Sequence, residues 1–111
     1  MIVRLYTGDD GQSRFEDIEL PTEDWETISL KQGADLTLTQ LSPGDFRNWH
    51  NPSRRQYVIT LSGQLEIGIG DGTMRRLKPG DLLLAEDMTG QGHTRLAVGS
   101  SCLLLTLPLL D

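Results

Sequence analysis

The stretch that decides the fold spans residues 44–63 and reads GDFRNWHNPSRRQYVITLSG. Gly44 opens it, and His50 follows after five intervening residues. Pro52 comes two positions later, Gln56 after three further residues, and Gly63 closes the stretch after another six. Side chains two apart on a β-strand point to the same side, and neighbouring strands bring such positions together. The β-branched and aromatic run at 56–61, which Gly63 follows, therefore predicts a strand of a β-domain.

The rest of the chain has the turn-punctuated pattern of an all-β protein. In residues 65–69, for example, Leu65, Ile67 and Ile69 alternate with Glu66 and glycine, which is the period of a half-buried strand. Clusters of Gly, Pro, Asp and Ser separate such runs and predict turns. The predicted strands are 1–6, 25–30, 36–41, 56–61, 65–69, 75–78, 82–85, 94–98 and 102–107. We expect the last two to pair across the turn at 99–101, and at most one helical turn, near 21–25.

Length and composition limit the classes of function. The 111 residues suffice for one domain spanning 1–111, and 37% hydrophobic with 23% charged residues is ordinary for a globular chain. The formal net charge of −6 repels phosphate backbones and argues against a nucleic-acid partner. No signal peptide or membrane-spanning run is visible, so we expect a cytoplasmic protein. The single Cys102 lies in an apolar run and is expected to be a buried, inert thiol.

The spacing within residues 44–63 resembles the first motif of the cupin superfamily: G, five residues, H, one, H, three or four, E, six, G. Pro52 stands at the second histidine position of that motif, and Gln56 stands at the glutamate position. The second cupin motif is G, five residues, P, one, G, two, H, three, N. It is matched by Gly80 and, two residues late, by His93. Its proline, glycine and asparagine positions are occupied by Glu86, Met88 and Ala97.

This resemblance implies a small single-domain cupin, an all-β double-stranded β-helix (an RmlC-like jelly-roll barrel). It also implies a metal pocket inside the barrel, with His50, Gln56 and His93 as ligands and Pro52 beside them. Imidazole suits Zn, Fe, Ni and Cu, and an amide carbonyl suits Mn, but glutamine is a weak neutral ligand and proline donates nothing. We therefore expect a loosely held divalent metal. The open alternative is that each histidine is an ordinary surface, loop or hydrogen-bonded residue.

Two further side chains are candidate site residues. Glu86, if it points inward, would replace the lost glutamate or act as a general acid or base. If it points outward, it is a solvated carboxylate, as we expect of its neighbour Asp87. Arg95 lies two positions after His93 and shares its face, where it would bind a substrate carboxylate; a surface ion pair is the alternative.

Two classes of function remain open from the sequence. The first is a non-catalytic cupin that binds a small molecule, with or without a loosely held metal, and the replaced ligand positions favour it. The second is a metal-dependent oxygenase or isomerase acting on a small polar organic substrate, which rests on the resemblance alone. The apolar terminal runs 1–6 and 102–110 of this acidic chain also indicate a homodimer, formed through edge strands or sheet faces.

Overall fold

The computed structural model describes residues 1–19 and 36–109. Within these ranges the chain is all-β and contains no helix, as predicted. Ten strands follow one another: β1 (Ile2–Thr7), β2 (Ser13–Asp17), β3 (Thr37–Leu41), β4 (Phe46–His50), β5 (Gln56–Ser62), β6 (Leu65–Gly68), β7 (Met74–Leu77), β8 (Leu82–Glu86), β9 (His93–Ala97) and β10 (Cys102–Pro108). In these same ranges no helix has the length and apolar character needed to cross a bilayer.

The strands form two sheets that enclose one apolar core. The larger sheet has the order β2-β1-β8-β5-β10-β3, and the smaller has the order β4-β9-β6-β7. All pairings are antiparallel except that of β1 with β8, which is parallel. Two sheets wound in this way form a jelly roll, so the predicted fold class is confirmed.

The core is built by the alternation that the sequence shows. Leu83 and Ala85 of β8 point inward and are 2% exposed each, while Leu65 and Ile67 of β6 meet them from the other sheet and are 1% exposed. Because successive side chains of a strand face opposite sides, alternate residues of the larger sheet instead form its outer face. Cys102 is fully buried in the core as a free thiol, in agreement with the expected environment.

Gly63, which closes the first motif, has a structural reason for its identity. Its φ of 77° lies in the left-handed region, and a Cβ added there would lie 2.3 Å from the carbonyl oxygen of Ser101. A side chain at this position would therefore collide with the backbone that leads into β10, so only glycine fits.

Two parts of the predicted strand pattern are corrected by the structure. Strands β2 and β4 were not predicted, because SRFED and FRNWH are largely polar and both lie at sheet edges, where one side faces water. The predicted pairing of 94–98 with 102–107 is wrong, since β9 joins the smaller sheet and β10 the larger. The predicted strand 25–30 and helical turn near 21–25 lie outside the described residues.

Candidate functional site

A cavity of about 180 Å³ lies between the two sheets, and its two walls differ in chemistry. The wall from the larger sheet is mainly apolar, with Val58, Leu83, Ala85 and Leu104 beside Gln56 and Thr106. The wall from the smaller sheet carries Arg47, His50, His93 and Arg95, with Leu65 and Ile67 beside them. The structure therefore brings the three expected metal ligands and Arg95 to one cavity, with Pro52 at its edge.

The pairing of β4 with β9 decides which side chains of β4 enter this cavity. Arg47 lies opposite Arg95, and His50 lies opposite His93, with a shift of register between the two pairs. Residues three apart on a regular strand face opposite sides, so Arg47 and His50 would not normally share a face. The irregularity turns His50 inward and leaves Trp49 outward, 42% exposed. Re-aiming a side chain in this way is a common use of a β-bulge beside a site.

His93 is held by a buried carboxylate. The His93 Nδ1 atom lies 2.7 Å from Oδ2 of Asp87, and Ser13 Oγ donates a hydrogen bond of 2.6 Å to the same oxygen. Asp87 is 0% exposed and His93 only 5%. Because a carboxylate oxygen accepts, Nδ1 carries the proton and Nε2 is left as the basic ring nitrogen.

The backbone fixes His50 in the same tautomer as His93. Its Nδ1 donates to the carbonyl oxygen of Asn48 at 2.8 Å, so Nε2 is again the basic nitrogen. The two ring centroids lie 4.4 Å apart with an angle of 57° between the ring planes. Burial lowers the pKa of His50 despite the Asn48 hydrogen bond, and the nearby charges of His93, Arg47 and Arg95 lower it further. His50 is therefore mostly neutral at neutral pH and its Nε2 is available.

The loop between β8 and β9 is fastened beside the histidines. Asn51 donates from its amide nitrogen to the carbonyl oxygens of Asp87 at 2.9 Å and of Thr89 at 3.1 Å. Gly92, immediately before His93, has a φ of 77°, and a Cβ there would lie 2.0 Å from the His50 carbonyl oxygen. The absence of a side chain at Gly92 thus allows the backbones that carry the two histidines to approach each other.

Arg47 and Arg95 give the polar wall a positive charge. Arg95 is half-buried, and its Nε has no hydrogen-bond partner among the described residues. Burial lowers the pKa of Arg95, the Arg47 charge lowers it further, and Asp45 acts in the opposite direction. Both guanidiniums remain charged at neutral pH, because arginine does not deprotonate in proteins.

Glu86 is not among the residues that line the cavity, so of the two orientations that the sequence left open the structure has the outward one. It alternates with Ala85 and lies on the outer face of β8, where Arg4 Nε donates to it at 2.7 Å and Arg55 Nε at 2.6 Å. Burial by itself raises the pKa of the Glu86 carboxyl, but these two hydrogen bonds outweigh it and hold the pKa below its ordinary value. A carboxylate that stays ionised outside the cavity has no proton to give to a ligand.

Sequence reasoning missed three residues of this region. Asp87 was expected to be solvated and is instead buried, because the chain turns inward after β8 to reach Ser13 and His93. Ser13 lies in β2, which was not predicted as a strand. Arg47 carried a weak signal, since it lies inside the first motif, but only the recognition of β4 as a strand would have directed attention to it.

The donor set of the cavity fits a metal only in part. Two imidazoles with their Nδ1 atoms fixed are suited to ligation through Nε2, and hydrogen-bonded Nδ1 atoms are the usual supporting arrangement. In the parts of the chain that the structure describes, however, no three His, Cys, Asp or Glu residues are grouped to hold an ion. Gln56 supplies only a neutral oxygen, and the two guanidiniums repel a cation. These residues suit a weakly held ion and not a site with three firm protein ligands.

Similarity in three dimensions identifies the architecture. A protein from Neisseria meningitidis superposes with a TM-score of 0.56 at 18% identity, over 81% of this chain and 89% of the other. A cupin domain from Bordetella pertussis superposes with a TM-score of 0.51 at 16% identity, over 76% of this chain and 100% of the other. The chain has the cupin fold.

The cupin assignment agrees with the two motifs in the sequence and concerns the fold alone. A conserved protein of unknown function from Streptococcus pyogenes is also similar, with a TM-score of 0.52 and 25% identity, over 76% of this chain and 71% of the other. No protein-family model matches the sequence, and no curated protein matches it either. What this chain binds must therefore be argued from its own cavity.

Proposed function

We propose that this cupin binds a small organic molecule in the cavity between its sheets, in the cytoplasm, with a divalent transition metal loosely held beside it. The observation that carries the proposal is one cavity with an apolar wall facing His50, His93 and two arginines. A concave site that combines apolar surface with a few convergent polar groups is the usual form of a ligand site. The volume of about 180 Å³ lies below the ~300–1,000 Å³ of sites for drug-sized ligands, so the ligand is small.

In this proposal the metal would be held by the Nε2 atoms of His50 and His93, with Gln56 as a neutral oxygen donor. Zn, Fe, Ni, Mn and Cu are the candidates, because imidazole and carbonyl ligands suit them. A bound ion would act as a Lewis acid that polarises an oxygen of the ligand. The chain's own contribution is orientation: Asp87 and the Asn48 carbonyl each hold an Nδ1 proton and so direct Nε2 toward the cavity.

Binding accounts for the cavity better than the alternative, a metal-dependent oxygenase or isomerase. Among the described residues that line the cavity there is no aspartate or glutamate. Such an enzyme would lack both an anionic metal ligand and an acid or base other than the histidines. Glu86, the one candidate for that role, is committed to Arg4 and Arg55 on the outer face.

The test exploits the fact that the chain contains only two histidines. In a tag-free protein, imidazole NMR signals report on His50 and His93 alone. Titration of the metal-free protein with Zn²⁺ should shift or broaden both imidazoles together at one stoichiometric equivalent. His50→Ala and His93→Ala should each remove this response and weaken Zn²⁺ binding, because each deletes one of the two firm ligands.

Trp49→Ala is the matched control, since Trp49 neighbours His50 on β4 but points outward. It should retain the Zn²⁺ response of the parent protein. If both histidine variants keep the full Zn²⁺ affinity of the parent, the shared metal site is disproved. If, in addition, no small organic molecule of a screened library shifts either imidazole, the proposal of ligand binding fails as well.

A further inference from the structure

We infer that the ligand of the cavity carries an oxyanion, a carboxylate or a phosphate, which Arg47 and Arg95 bind together. This inference rests on the proposed ligand-binding function and adds to it the ligand's chemical class and a role for Arg47. The apolar wall opposite the arginines would take the remainder of the molecule. A small organic anion with a short apolar part satisfies both walls.

The first observation is the placement of the two arginines. Arg47 and Arg95 are direct cross-strand partners in the β4–β9 pair, and both line the cavity. Like charges directly opposite each other on neighbouring strands are destabilising. Two such charges directed into one cavity therefore cost stability, and a bound anion between them would relieve that cost.

The second observation is how differently the other arginines of the chain are treated. Five of the other six form ion pairs with aspartate or glutamate side chains, whereas the sixth, Arg54, is exposed, lies outside the cavity and forms none among the described residues; the five are Arg4, Arg14, Arg55, Arg75 and Arg76. Within the described ranges no such ion pair includes Arg47 or Arg95, although the chain has an excess of six acidic groups over basic ones. The chain is thus acidic overall while its cavity is cationic, and no described residue that lines the cavity supplies a negative charge.

The third observation concerns Arg95 itself. Its Nε atom is buried without a hydrogen-bond partner among the described residues, and the exposed Asp45 offsets its charge only at a distance. A buried donor without a partner costs free energy, and a ligand acceptor would remove that cost. Arginine binds carboxylate and phosphate oxygens with two parallel N–H donors, which is the chemistry that an oxyanion offers.

The neighbouring charges favour an anion and no other polar group. His50 and His93 lie on the same wall as the arginines and Gln56 lies on the opposite wall, and no aspartate or glutamate is among the described residues that line the cavity. In so small and half-enclosed a site, charge-assisted hydrogen bonds are stronger than those of neutral groups. A neutral ligand of the same shape should bind more weakly, and added salt should weaken the anion more than its neutral match.

The experiment uses tag-free protein freed of metal on a chelating resin, so that no soluble carboxylate chelator competes. The probes are succinate, butyrate, butyramide as the neutral match of butyrate, and inorganic phosphate. Binding is followed through the two imidazole signals and the arginine Nε–H signals. We expect anions to bind at least about 10-fold more tightly than butyramide, because charged hydrogen bonds exceed neutral ones.

Two variants assign the binding to the arginines. Arg47→Gln and Arg95→Gln should each weaken anion binding by about 10- to 100-fold, the range expected for loss of a charged hydrogen-bond donor. Arg54→Gln is the control, since Arg54 is exposed in the loop before β5, does not line the cavity and makes the same change in net charge. Circular dichroism of each variant verifies the fold. Arg47 is exposed, so its variant keeps the test available if Arg95→Gln unfolds.

Each outcome decides the inference. Succinate or butyrate binding that is lost in both variants supports a carboxylate ligand, and phosphate binding that is lost in both supports a phosphate ligand. Butyramide binding as tight as butyrate binding, or anion binding equal in all three variants, overturns the inference. If no probe anion binds while a neutral organic molecule still shifts the imidazoles, the oxyanion inference fails and the proposed function stands. If only Zn²⁺ shifts them, the oxyanion inference fails and of the proposed function the metal site alone stands. If nothing shifts them, both fail.

Discussion

The substitution Asp87→Asn tests whether a buried carboxylate sets the orientation of His93. Asp87 is 0% exposed, and its Oδ2 accepts hydrogen bonds from Ser13 at 2.6 Å and from His93 at 2.7 Å. An amide keeps the shape but loses the charge, which weakens each hydrogen bond by about 1 kcal/mol. Ser13 retains the Gly92 carbonyl oxygen at 3.1 Å as an acceptor. We therefore expect the free energy of unfolding to fall by about 1–2 kcal/mol.

The same substitution should change the tautomer of His93. The asparagine NH₂ group is a donor and can face Nδ1, in which case the imidazole proton moves to Nε2. A protonated Nε2 cannot ligate a metal, so Zn²⁺ affinity should fall by about 10- to 100-fold, the usual effect of removing such a supporting partner. Imidazole ¹⁵N shifts report the tautomer directly, urea unfolding gives the stability, and a Zn²⁺ titration gives the affinity.

Asp9→Asn is the control, because Asp9 is exposed near the turn after β1 and loses the same charge. It should change neither the tautomer of His93 nor the affinity. The reasoning is refuted if His93 keeps its proton on Nδ1 in Asp87→Asn while the unfolding free energy equals that of Asp9→Asn. Such a result would mean that the packing around His93, and not Asp87, fixes the ring.

Three other outcomes are expected. Because burial lowers the pKa of His50, the unfolded chain binds a proton at this imidazole more tightly than the folded chain does. The contribution of neutral His50 to the free energy of unfolding is therefore full above pH ~6.5 and is lost as pH falls through the folded-state pKa. The free energy of unfolding in urea, measured from pH ~7.5 to pH ~5 so that it brackets the ordinary histidine pKa, should therefore depend less on pH in His50→Gln than in the parent protein. An equal pH dependence in the two proteins would contradict this. Glu86→Gln should lower the free energy of unfolding by about 1–3 kcal/mol, because it weakens the hydrogen bonds that Arg4 and Arg55 donate to this side chain. The imidazole responses to Zn²⁺ should not change, and their loss would show that Glu86 takes part in the site. The homodimer stays a prediction, which is supported by the 62% exposure of Leu38 on the edge strand β3. Light scattering should give about twice the 12.3 kDa chain mass, and Leu38→Lys should lower the measured mass. A mass near 12.3 kDa for the parent protein would disprove the dimer.

Much of the fold could be predicted from local patterns. Runs such as 56–61 and 82–85 became strands β5 and β8 because their β-branched and leucine-rich segments lie between strong turn signals. Strands β2 and β4 escaped prediction because a polar edge strand need not show apolar alternation. The assignment of β9 and β10 to different sheets also escaped, since a short turn between two strands does not by itself decide whether they pair.

The sequence by itself determined an all-β chain of short strands, because period-two alternation and turn glycines are local properties of the chain. Its resemblance to the two cupin motifs added the jelly roll and indicated His50, Gln56 and His93 as the side chains of the site. Only the tertiary structure decided that Arg47 shares the cavity through the irregular β4–β9 register. It alone buried Asp87 behind His93 and turned Glu86 outward to its arginine partners. These placements depend on contacts between residues far apart in the chain, and no local pattern encodes such contacts.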